Sequence, residues 1–140
     1  MLGHKLDFNA IWMAVWLPMA SWLIAVLGAT LTGYPGVICI TPMGWLLALS
    51  AGMRTTQNSA SEAITPRMIE AGIAGALLGV FQGLVFAGVL AFASPLGTPG
   101  SSPLETLMTA IIAFLIVGGA SAGVDSALSI GIAALRLRRV

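Results

Sequence analysis

The chain has 140 residues, of which 58% are hydrophobic and 8% charged, and its formal net charge at pH 7 is +1. A water-soluble domain carries roughly a quarter of its residues as charges because its exterior must be solvated, so this composition excludes one and makes the bilayer the solvent. Six basic against five acidic residues leave no surplus that would draw nucleic acid, and none is expected as a partner.

A hydrocarbon core of about 30 Å needs about 20 helical residues at 1.5 Å each. The first apolar run that qualifies is Ala10 to Leu31, which follows Lys5 and contains Trp12, Trp16 and Trp22. Secretory leaders have apolar regions of about 7 to 15 residues, so this run is expected to be a retained span. The second is Pro35 to Met53, after a turn at Gly33-Tyr34-Pro35-Gly36; no charge lies between Phe8 and Met53. Pro42 inside it admits a re-entrant alternative with three spans. A polar loop from Arg54 to Glu70 follows, with a capping-box pattern at Ser59 and Glu62 that would support one helical turn on the membrane surface. The third run, Ala71 to Ala93, is entered through Thr65-Pro66, a capping residue and a first-turn proline. The fourth, Thr106 to Leu135, starts at Ser102-Pro103-Leu104-Glu105, a capping box with proline at the first helical position. Strands are excluded because the runs are continuously apolar and do not alternate.

All six basic residues fall on one side of such a path: Lys5, Arg54, Arg67, Arg136, Arg138 and Arg139. The positive-inside rule then places both termini and the middle loop in the cytoplasm. The expected fold is an all-α integral membrane bundle of four transmembrane helices, two helical hairpins in one domain over 1–140, in a plasma (inner) membrane. The two outer turns, Gly33-Tyr34-Pro35-Gly36 and Gly97-Thr98-Pro99-Gly100, resemble each other, but Gly and Pro make turns anyway and no repeat is inferred.

Small residues recur every four positions in the third span, at Ala71, Gly75, Gly79, Gly83, Ala87 and Ala91, and in the fourth at Gly119, Gly123, Ala127 and Gly131. Such ridges let helix backbones approach where hydrophobic burial between helices contributes little. Packing on each other and on the first hairpin is their commoner use. A ridge left over would mark a homo-oligomer or attachment to other membrane subunits.

Asp125 calls for a chemical account. It lies eleven residues before Arg136, which puts it about 16 Å deep if that arginine marks the interface. An ionised Asp at a helix centre costs about 2.5 to 3.5 kcal/mol, and no Lys or Arg lies in the spans to neutralise it. The carboxyl therefore carries its proton, meets a cation or water, or pairs with a partner chain. Ser121 and Ser129, four residues to either side, share its face. Counted from Glu70, Arg54 and Asp7, the side chains of Gln82, Thr41 and Ser21 come to depths of about 18, 20 and 21 Å, so each helix is expected to bring one polar group to a common layer near Pro18 and Pro42.

Enzyme chemistry is not expected. His4 is the one histidine and lies outside the spans, Cys39 is the one cysteine, and no Ser/His, Cys/His or paired-carboxylate arrangement falls within the membrane. No cofactor or metal is expected. Two functions remain: an oligomeric or accessory subunit packing through glycine-rich helices, or a dimeric channel or proton- or cation-coupled transporter built on Asp125.

Overall fold

The structure is a computed structural model and describes residues 6–31, 37–93 and 102–139, with 37–41 and 90–93 described in their backbone alone. Both outer turns, His4, Lys5 and the side chains of Cys39 and Thr41 fall outside the described residues. Every element among the described residues is helical: α1 (Phe8–Leu31), α2 (Val37–Asn58), α3 (Ile64–Ala93) and α4 (Pro103–Leu137). Helices α1, α3 and α4 are long and apolar enough to cross a membrane. The described part of α2 is less apolar, because its last turns carry Arg54, Thr55, Thr56, Gln57 and Asn58. It nonetheless runs through Pro42 as one unbroken helix.

The helix ends show where the local reading of the sequence holds and where it gives way. At the start of α4, Ser102 Oγ accepts from the Glu105 amide at 3.3 Å and Glu105 Oε2 accepts from the Ser102 amide at 3.0 Å, with Pro103 behind the cap. That is the capping box expected from those four residues. The polar loop is another matter. Helix α2 continues to Asn58 and α3 begins at Ile64, so only 59–63 connect them. Thr55 and Thr56 donate their hydroxyls to the Ala51 and Met53 carbonyls, which satisfies them inside a helix and lets both be buried. Because α3 begins at Ile64, Thr65 is already inside its first turn and does not cap it, while Pro66 sits in the first turn as expected. Ser59 Oγ accepts from the Ser61 amide and makes a local turn, not a box with Glu62, and Arg67 Nε donates to the Ser61 carbonyl.

Asp7 caps α1, its Oδ1 accepting from the Asn9 and Ala10 amides, both at 3.1 Å. Its own amide donates to Glu70 Oε1 at 2.9 Å, which ties the start of α1 to α3. Glu70 is buried at 1% exposure. A carboxylate used as a marker of the membrane surface in the depth count is thus part of the packed interior.

Helix α1 packs on α2 and α3, and α4 on α2 and α3, but no Cα of α1 comes within 8 Å of one of α4. The four helices surround a small aliphatic core of Ile11, Val15, Ala48, Ala51, Ala74 and Leu78. Large apolar side chains such as Ile24, Leu115 and Ile116 point outward, as lipid-facing residues do. Trp12 and Trp16 stand on that outer face too.

The closest pair is α3 and α4. A Cβ at Gly75 would strike the Asp125 carbonyl oxygen, one at Gly79 the Ala122 amide nitrogen, and one at Gly83 the Gly118 Cα. Three glycines one turn apart thus let the two backbones touch, a gain in van der Waals contact that does not depend on water. Gly119, Gly123 and Gly131 are placed differently. They lie on the exposed side of α4 with nothing outside their own stretch of helix within 4 Å of a would-be Cβ, and the residues of α4 that meet the α3 glycines include Gly118, Ser121, Ala122, Asp125, Ser126, Ser129 and Ile130.

Candidate functional site

The α3–α4 glycine contacts set the register of the polar residues. Gly75 lies opposite Asp125 and Ser129, Gly79 opposite Ser121 and Ala122, and Gly83 opposite Gly118. Gln82 therefore sits about six residues, or about 9 Å, nearer the Thr30 end of the bundle than Asp125 does. The difference is closed by the direction of the side chains. Those on a helix lean toward its N-terminus, and because the helices are antiparallel, Gln82 leans one way and Asp125 the other until they meet. Asp125 is buried at 1% exposure and shares its cavity with the buried Gln82 side chain. Gly44 of α2 makes room for this: a Cβ there would come within 3.2 Å of both the Gln82 side chain and the Trp22 ring.

Asp125, Gln82 and Ser121 line one cavity of about 410 Å³. It fills the gap between the backbones of α1 and α4, and takes Trp22, Val26, Ala29 and Thr30 from α1 and Val117, Ala120, Val124 from α4. Trp45 of α2 and Phe86 and Val89 of α3 complete the wall. Three buried polar atoms on this lining have no hydrogen-bond partner: Trp22 Nε1, Gln82 Nε2 and Asp125 Oδ2. An unsatisfied buried polar atom costs about 1–3 kcal/mol, so three on one cavity are the mark of a site that expects something polar inside it.

The other residues of the expected polar layer are not all here. Ser129 is one turn deeper and buried, and its hydroxyl donates to the Ala48 carbonyl of α2 at 2.8 Å. It staples α4 to α2. Ser129→Ala is expected to lower stability by about 1 kcal/mol in detergent melts, and no change in melting would show that this hydrogen bond is not formed. Ser21 is half-buried and outside the cavity lining, while its neighbour Trp22 is on it. The side chain of Thr41 lies outside the described residues.

No family profile, no curated protein and no solved structure matches this chain. The site must be read from its own chemistry. Among the described residues no three His, Cys, Asp or Glu side chains come together, so the lining offers one carboxyl, the N–H groups of Trp22, Trp45 and Gln82, a serine, a threonine and a surround of aromatic and aliphatic side chains. Trp22, Trp45 and Phe86 were not singled out with the polar residues by the sequence reading. Trp22 falls on the stripe Ile11, Val15, Pro18, Trp22, Val26 that α1 buries, whereas Trp12 and Trp16 do not, and no amphipathic pattern in α1 marks that stripe beforehand.

Proposed function

We propose that this is a four-span membrane protein with both termini in the cytoplasm, non-enzymatic, that moves a proton or cation through a site centred on Asp125. The observation that carries the reading is a carboxyl buried in a mostly apolar cavity with one oxygen unpartnered and no basic residue on the lining. Asp125 is the one titratable residue on that wall among the described residues, so a proton and a cation would compete for a single acceptor. Such competition is the simplest device for exchanging one against the other. A chain this small would act as a dimer, in the plasma (inner) membrane.

Four spans are supported by α2, whose 22 residues make a helix of about 33 Å beside the other three, and by the sequence positions of the basic residues, which a four-span path would bring to one side. With Cys39 replaced, single cysteines at Asn9 and Ala60 are expected to resist an impermeant maleimide added outside cells, while one at Leu104 reacts. Asn9 and Ala60 reacting from opposite sides would overturn the four-span topology. The transport reading is tested by proton-coupled cation flux in proteoliposomes, comparing the native chain with Asp125→Asn.

A second reading, an oligomeric or accessory subunit packing on other membrane chains, is favoured by the outward stripe of Gly119, Gly123, Ala127 and Gly131 on α4. Such a stripe would accept a second backbone at close range. Co-purification of foreign membrane subunits after gentle extraction would favour it over transport.

A further inference from the structure

We propose that the cavity between α1 and α4 takes a lipophilic organic amine in its cationic form, entering sideways from the bilayer. This rests on the site proposed above and names its ligand class. The free Asp125 Oδ2 supplies an acceptor for an ammonium N–H, and the rings of Trp22, Trp45 and Phe86 supply faces on which a cation and its apolar body are both favoured. Trp22 Nε1–H remains to be satisfied by a hydroxyl, ether or carbonyl on the ligand, or by a water that enters with it.

Other classes fit less well. An anion would find a carboxyl and no cation. A metal ion would find one carboxyl where several hard ligands are needed. A small hydrated ion would have to shed water against walls that are mostly aromatic and aliphatic. The size, about 410 Å³, is that of pockets which hold small organic molecules. The way in follows from the packing: the backbones of α1 and α4 stay more than 8 Å apart, Cα to Cα, and Ala120 and Val124 on the α4 side of the gap are exposed to the surroundings of the bundle. An apolar molecule already dissolved in the bilayer meets this opening without crossing water.

The test uses the full chain in nanodiscs of phosphatidylcholine alone and three probes that share one body and differ in the head: 1-adamantanamine, 1-adamantanol and 1-adamantanecarboxylate. Binding is read by calorimetry and by tryptophan fluorescence. The amine is expected to saturate at one site per chain at least ten-fold more tightly than the alcohol, with no binding of the carboxylate. Asp125→Asn should remove the preference for the amine. Ala120→Phe, which fills the mouth from an exposed position and leaves Asp125 in place, should abolish saturable binding of both amine and alcohol. Equal affinity for amine and alcohol in the native chain, or amine binding that survives both substitutions, would overturn the proposal. The two readings fail separately. Asp125-dependent amine binding without coupled flux keeps the ligand class and removes transport, whereas Asp125-dependent proton flux with no preference for the amine does the reverse.

Discussion

Gly79→Leu is expected to prevent α3 and α4 from docking and to cost the chain at least about 3 kcal/mol, a large share of the 5–15 kcal/mol that holds a typical domain. The reason is the identity of the atoms in the way. At Gly79 the space where a Cβ would go is taken by the backbone of Ser121 and Ala122, which cannot rotate aside as a side chain would. At Gly72, by contrast, the nearest atoms belong to the end of the Ile130 side chain, at 3.0 Å, and a small shift would relieve the contact. Thermal unfolding in detergent, followed by circular dichroism, measures the loss. Gly119→Leu is the matched control, since nothing lies within 4 Å of its Cβ position and a leucine gains about 0.8–1 kcal/mol of helix propensity over glycine. Equal melting of the Gly79→Leu and native chains would mean that the α3–α4 contact is not as close as described. A Gly119→Leu chain that folds but loses its association with other chains would locate a partner on the outer face of α4.

Asp125→Asn is expected to bring proton-coupled flux down to the background of empty liposomes while changing stability by no more than about 1 kcal/mol. Asn keeps the shape of Asp and carries its own donor and acceptor onto the same lining as Gln82, so the packing around it has little cause to move. It removes a group whose ionised form costs about 2.5–3.5 kcal/mol in the membrane, so the stability change is as apt to be favourable as not. It also removes the acceptor at which proton and cation exchange, and that is the functional loss. A native chain with no coupled flux, or Asp125→Asn flux equal to native, would remove transport from consideration. A large loss of stability with no flux in either chain would make Asp125 a structural acid.

Parts of this architecture were legible in the residues themselves. Four apolar runs mark the four helices, and the Ser102–Glu105 box marks the start of one of them to the residue, because a cap depends only on neighbours in sequence. Asp125 stood out because a lone acid in an apolar run has few physical outcomes. The faces of the helices were not legible. Spans that are apolar all round carry no amphipathic signal, so nothing told Trp22, which turns inward, from Trp12 and Trp16, which turn out. For the same reason the fourth-span glycines at 119, 123 and 131 could not be distinguished from Gly118, which meets Gly83. The depth count for Gln82 went astray at Glu70. A carboxylate is ordinarily a surface marker, but this one is buried against the amide that begins α1, about a turn deeper than Arg136 by the α3–α4 register. Two errors in level then cancelled, because the leaning side chains of Gln82 and Asp125 meet across different heights.

The tie between Asp7 and Glu70 also orders events during biosynthesis. The acceptor lies 63 residues after the donor, so α1 leaves the ribosome and enters the membrane long before its anchor has been made. Until α3 has been made, the Asp7 amide must find another acceptor. Packing of α1 on α2 needs nothing from α3, whereas the tie that fixes the start of α1 waits for Glu70.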